Sequence, residues 1–234
     1  MLSADLLELQ RLDTAIDQIA HRRANLPERQ AAAAAMANVD RNRKVIVTVI
    51  TRQRELTDSI EAAEHTGEEL TRKRQRLQAQ MRTIIAPREA EALTHELDTI
   101  AAERDVLDDA ELAALEEQST LIDDLGAAHA AEPELDATSA AAAAELSAAE
   151  AELDRDVAAH TVARSELVTR IDGGVLTDYE RRRAHHGGVA VAHLEGKRCS
   201  GCHLDLSTGE FEQVRSTPPG DIADCPQCGR MLIP

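Results

Sequence analysis

The sequence is poor in aromatic residues. Tyr179 and Phe211 are the only two in 234 residues, and there is no tryptophan. A large globular core normally draws much of its volume from aromatic rings, so a core of that kind is not expected here. Long apolar runs are missing too. No stretch approaches the 18 or so uncharged residues that a membrane-crossing helix needs. The start, MLSADLLELQRLD, lacks a basic segment followed by an unbroken apolar one. No secretory signal is therefore expected, and the expected compartment is the cytoplasm. Catalytic signatures are also absent: there is no nucleophile elbow, no glycine-rich phosphate loop and no H-E-x-x-H. The sequence does not read as an enzyme.

Cysteine is scarce but ordered. The four cysteines form two C-x-x-C pairs, Cys199/Cys202 and Cys225/Cys228, with 22 residues between them. The first pair alone, CSGCH, spells a c-type haem attachment site. Haem attachment of that type requires export, and a cytosolic setting also disfavours a structural disulfide. Two C-x-x-C pairs a few tens of residues apart instead match a four-cysteine zinc site, with thiolates from two knuckles closing a tetrahedron. One structural Zn²⁺ is expected on Cys199, Cys202, Cys225 and Cys228, and His203 is then a bystander. In CPQCG, Pro226 stiffens the turn and Gly229 supplies a positive φ; Gly201 is expected to play a similar part in the first knuckle.

The remainder is rich in Ala, Leu, Glu, Asp and Arg, a composition typical of long helices. Val49, Leu56, Ala63, Leu70, Leu77 and Ile84 recur every seven residues, as do Leu93, Ile100, Leu107, Ala114 and Leu121. Heptads sustained in this way with charged flanks predict a coiled coil. The pattern is interrupted at RTIIAPRE, where Pro87 suits the first turn of a new helix. Two arms of similar length joined there predict an antiparallel hairpin over residues 1–171, with its turn near 83–87.

Charge favours pairing of the two arms within one chain. Residues 1–82 carry 14 Lys/Arg and 12 Asp/Glu, whereas residues 88–171 carry 5 and 22. Two copies of the second arm would repel each other, while the first arm relieves its charge. A monomer is therefore favoured. Pro27 is expected to kink or break the first arm, and Gly126 and Pro133 to interrupt the second. The alanine runs at 31–37 and 139–146 fall near one another in this hairpin. Alanine buries little area, so they mark its weakest part.

Helical periodicity stops at IDGGVL (171–176). Residues 172–195 read as a linker, with LTDYERRRAHHGG as a short helix and VAVAHLEGKRC as a strand leading to the first knuckle. Residues 196–234 read as a small β zinc ribbon that depends on its metal for folding. The fold class is thus an all-α antiparallel coiled-coil hairpin plus a four-cysteine ribbon.

Several segments together, LLELQRLDTAIDQI, LPERQ, PREAEALTHELDTI, LTDYERRR, GGVAVAHLEGKRCSGCHLDL and CPQCGRMLIP, resemble a bacterial family of coiled-coil proteins with a C-terminal four-cysteine zinc ribbon. The resemblance covers essentially the whole chain. It implies a long helical hairpin joined to the ribbon and no enzymatic activity. Most members of that family lack an assigned role. Some are described as flagellar or transcriptional regulators that bind an alternative sigma factor, and RNA binding has been proposed for others. Members often carry an aromatic residue where this chain has Ala90.

Candidate interaction residues cluster near the C-terminus. Arg181, Arg182 and Arg183 precede the ribbon; Lys197, Arg198, Arg215 and Arg230 lie within it; Tyr179 and Phe211 are the two rings available as anchors. A protein partner from the transcription or RNA-processing machinery is expected, with direct nucleic-acid binding through the basic flank as the alternative. The net charge of residues 172–234 is −2, which weakens that alternative. A second basic group, Arg72, Lys73, Arg74, Arg76, Arg82 and Arg88, surrounds the turn and reads as a charge match to acids on the facing arm. His185, His186 and His193 read as surface histidines.

Overall fold

The computed structural model describes residues 2–218 and 221–233. Both long helices begin on a proline: α2 spans Pro27–Met81 and α3 spans Pro87–Val168, and α1, Leu2–Ala24, precedes them. Proline is well placed there because the first helical N–H has no partner in any case and φ is already set. The chain divides into two compact units, residues 32–142 and residues 1–31 with 143–234. Both points of division fall in the alanine runs.

The unit of residues 32–142 is the antiparallel hairpin. Contacts run in opposite senses along its arms: Asn42 donates to the Ala128 carbonyl, Arg52 to Glu117, and Arg104 to Thr71. The buried side chains are the heptad residues Val39, Ile46, Val49, Leu56, Leu77 and Ile100, with Ala35 and Ala128. Near the turn, Leu70 lines an apolar groove with Thr99, Ala102 and Val106 of α3.

The second arm differs from expectation. α3 runs without interruption past Gly126 and Pro133. Pro133 has no N–H to give the His129 carbonyl, a loss of about 3 kcal/mol in a free helix. Packing along the hairpin offsets it, and Asn42 adds a cross-arm bond of 2.9 Å to the neighbouring carbonyl of Ala128.

The other unit carries the sheet. Helix α4, Gly173–His185, is capped by the Asp172 carboxylate, which accepts from the N–H groups of Gly174 and Val175. It is followed by β1 (Val191–Glu195), β2 (Arg198–Cys199), α5 (Thr208–Arg215), β3 (Ala223–Asp224) and β4 (Met231–Ile233). The strand order is β2-β1-β4-β3, and β1 pairs in parallel with β4. β1 falls within VAVAHLEGKRC, the segment read from the sequence as a strand leading to the first knuckle. It also forms a tight antiparallel hairpin with β2 across Gly196, which is left-handed at φ 65°, while its parallel partner β4 arrives some 40 residues later.

Strand alternation sorts the sheet into two cores. Val191, Met231 and Ile233 face Leu6, Leu9 and Leu12 of α1, Leu167, Ile171 and Tyr179. Ala192 and Leu232 face the opposite way, onto Cys199, Cys225, Leu206 and Val214. The sheet is thus covered by helices on one side and by the ribbon on the other.

Candidate metal centre

The two knuckles repeat one backbone design. In the first, the His203 N–H donates to the Cys199 carbonyl at 2.8 Å and the Cys199 N–H to Leu204 at 3.1 Å. In the second, Gly229 donates to Cys225 at 2.8 Å and Cys225 to Arg230 at 2.8 Å. The residue after each second cysteine is left-handed, His203 at φ 63° and Gly229 at φ 71°. This corrects the role expected of Gly201, which is not among the positive-φ glycines. Gly201 is needed for space: a Cβ there would meet Arg230 Cδ at 2.7 Å and Ala192 Cβ at 3.0 Å. His203, whose position beside the cysteines suggests haem, fills the place that glycine occupies in the other knuckle. Histidine is one of the few non-glycine residues enriched in that conformation.

The two knuckles bring the four Sγ atoms within 4.8 Å of one another. Zinc–sulfur bonds of about 2.3 Å in a tetrahedron place sulfurs roughly 3.8 Å apart, so this donor set fits Zn²⁺ with little adjustment. Cys199 and Cys225 are buried. Burial pushes the metal-free Cys225 thiol up to about 12, and burial likewise raises Cys202. For Cys228 burial acts in the same direction but is outweighed by hydrogen bonds, chiefly from the Arg230 N–H, and its thiol is lowered. Thiolates are the ligands, so metal binding expels protons from this site and its affinity rises with pH. The chain holds a four-cysteine site for one structural zinc.

Two buried polar residues of α1 tie the helices of this unit to one another and to the start of β1. The Asp13 carboxylate is 2% exposed. It accepts from the Tyr179 hydroxyl at 2.7 Å and from Arg164 Nε at 2.6 Å, with Arg183 at 3.6 Å. Burial first, and then the hydrogen bond to Asp13, drive the Tyr179 phenol well above its ordinary value. Gln10 behaves as a short extra strand edge: its Oε1 accepts from the N–H groups of Ala190 at 2.6 Å and Val191 at 3.2 Å, and its Nε2 donates to the Gly188 carbonyl at 2.8 Å.

Residues 9–187 match the model of the CT398-like coiled coil hairpin domain, and residues 198–232 match that of the C4-type zinc ribbon domain. The chain belongs to the CT398-like coiled-coil hairpin family. An uncharacterized protein of Mycobacterium tuberculosis is 29% identical over 229 residues, spanning 97% of this chain and 93% of its own. The solved structure of CT398 from Chlamydia trachomatis is similar with a TM-score of 0.84 at 21% identity, covering 99% of this chain and 96% of its own. A solved structure from Mycobacterium smegmatis gives 0.77 at 23% identity, covering 99% and 97%. At such identities the two structures establish a shared fold.

In this member of the CT398-like family the interaction candidates fall into two groups. The first group is engaged internally. Tyr179 is buried against Asp13, and Arg183 pairs with Asp17 at 2.7 Å. Arg182 bridges Asp178, Asp224 at 2.6 Å and the Gly229 carbonyl at 2.6 Å. Arg230 donates to the carbonyls of Val189 at 2.8 Å and His186 at 3.2 Å. In the second group the cations face outward and Phe211 is half-buried against the ribbon's cysteine core. Lys197 and Arg215 flank the Phe211 ring, at 5.8 and 5.6 Å from its centroid. Arg198 lies 3.6 Å from Asp205, and Arg181 pairs only with its neighbour Asp178 among the described residues.

The basic tip behaves differently from expectation. Arg72 pairs with Glu68 of its own helix at 3.0 Å, and no ion pair among the described residues crosses the hairpin from Arg72, Lys73, Arg74, Arg76, Arg82 or Arg88. His193 bonds Glu195 and Ser200, and His186 is lowered by burial and then by Arg230. Neither Asp13 nor Gln10 is apparent as a joint from the sequence. Their one signal is that two polar side chains three residues apart sit beside the apolar rows of Leu9 and Leu12.

Proposed function

We propose that the protein is a non-enzymatic adaptor, a helical hairpin that carries a structural zinc ribbon for binding a protein partner of the transcription or RNA-processing machinery. The observation that carries this reading is the closed sulfur shell. Catalytic zinc keeps one position for water or substrate, and four cysteines leave none. The ribbon face where exposed Lys197 and Arg215 flank the half-buried Phe211 ring offers the cations and aromatic edge that anchor interfaces. Among the described residues no helix is long and apolar enough to cross a membrane.

The same face supports a second reading. A ring between two cations is a small stacking platform, and single-stranded nucleic acid binds such platforms. The two readings separate by salt and by nuclease. Affinity capture from the native cell, repeated after nuclease treatment, is expected to retain a protein that is lost from a Phe211→Ala, Arg215→Ala double variant. Capture that disappears with nuclease, and that weakens steeply with salt, would replace the adaptor reading with nucleic-acid binding.

A further inference from the structure

Within residues 32–142, α3 carries two rows at heptad spacing. Leu107, Glu111, Ala114, Gln118, Leu121 and Leu125 form the half-buried row against α2. The second row, about a quarter turn away on the helix, contains Leu112, Leu115 and Ile122 with Ser119 between them. These three apolar side chains are 60%, 45% and 60% exposed. Single exposed leucines need no explanation. Three on one heptad row do, because the adjoining α2 face of α3 uses polar Glu111 and Gln118 while Leu112, Leu115 and Ile122 stay in solvent.

Flanking this second row, once every seven residues, are Asp109, Glu116 and Asp123, all exposed. The ion pairs of this stretch, Arg52–Glu117 and Arg104–Asp108, leave out all three. An acid at every position of one flank of a seam is a pattern by which coiled coils select partners of opposite charge. We infer that Leu112, Leu115 and Ile122 form a second coiled-coil seam that accepts an amphipathic helix of a partner protein, apolar along its contact row and bearing Lys or Arg beside it. The inference rests on the adaptor reading and names the partner's chemistry.

Charge selects this occupant. A second copy packed antiparallel through the same seam would set its acidic flank against this one. Packed parallel, it would set those acids against the row holding Glu111 and Gln118. Nucleic acid is repelled by the same carboxylates. The seam from Asp109 to Asp123 is about 22 Å long at 1.5 Å per residue, which calls for two heptads of partner helix.

The test uses the full-length, zinc-loaded protein and two fluorescent three-heptad peptides. Both have Leu at the seam positions; one has Lys and the other Glu at every flank. In anisotropy titrations at about 150 mM salt, where long-range attraction is screened, the Lys peptide is expected to bind and the Glu peptide to bind at least about tenfold more weakly. Leu115→Asp should abolish binding with helical circular dichroism unchanged. The triple variant Asp109→Lys, Glu116→Lys, Asp123→Lys should reverse the preference between peptides. If the Lys peptide does not bind, or binds both variants as it binds the natural chain, the seam does not exist. Should that occur while protein capture from the native cell succeeds, the adaptor reading stands without this surface.

Discussion

Asp13 on α1 and Tyr179 on α4, 166 residues apart, share a buried hydrogen bond of 2.7 Å. The same carboxylate holds Arg164 of α3, so one side chain joins three helices beneath the sheet.

Two substitutions separate the parts of this joint. Tyr179→Phe removes a donor to a charged acceptor and should cost about 1–3 kcal/mol. Asp13→Ala removes the acceptor of both Tyr179 and Arg164, while Arg164 keeps Glu180 and Arg183 keeps Asp17, and should cost more, about 2–5 kcal/mol. Urea denaturation of zinc-loaded protein reads both values. Equal, small losses would show that Asp13 does not organise the joint.

His203 tests the knuckle geometry. Its left-handed backbone costs an L-residue about 1–2 kcal/mol that glycine avoids. His203→Gly should therefore leave zinc content unchanged and stability equal or higher, while the β-branched His203→Val should lower the melting temperature. Loss of zinc in His203→Gly would make the imidazole a ligand after all.

Pro133 offers a gain. The helix already runs through it, so Pro133→Ala restores one donor without a change of path. The variant should be more stable by up to about 3 kcal/mol, the difference between the two residues in a helix interior. A decrease would show that the proline shapes α3 in a way the packing needs.

Acid should loosen the ion pairs that Asp178 makes along α4. Hydrogen bonds from Arg182 and then Arg181 hold the Asp178 carboxyl below its ordinary value. Its unfolded value is near 3.9, so between the two the unfolded chain binds more protons. The contribution is complete above the unfolded value and disappears as pH falls through the folded one. Asp178→Asn should flatten the fall in melting temperature below about pH 4. An identical fall in the variant would assign that acid sensitivity to other groups.

The heptad rows are legible because burial in a hairpin repeats with the sequence: Val49, Leu56, Leu77 and Ile100 are all buried. The metal site is legible because cysteine spacing alone encodes a knuckle. The joint is not, because the partners of Gln10 and Asp13 lie more than 150 residues away and polar groups give no periodic signal. Arg182, Arg183 and Arg230 look like an interaction surface in sequence for a related reason. An arginine that caps a carbonyl or spans two acids reads the same as one that waits for a partner.

Native mass spectrometry of the full chain, beside its Cys225→Ser variant, tests the ribbon most directly. One zinc ion per chain is expected in the natural protein and none in the variant, with the circular dichroism of the long helices nearly intact. Zinc retained by Cys225→Ser, or a natural chain that folds its ribbon without zinc, would contradict a structural site built from Cys199, Cys202, Cys225 and Cys228.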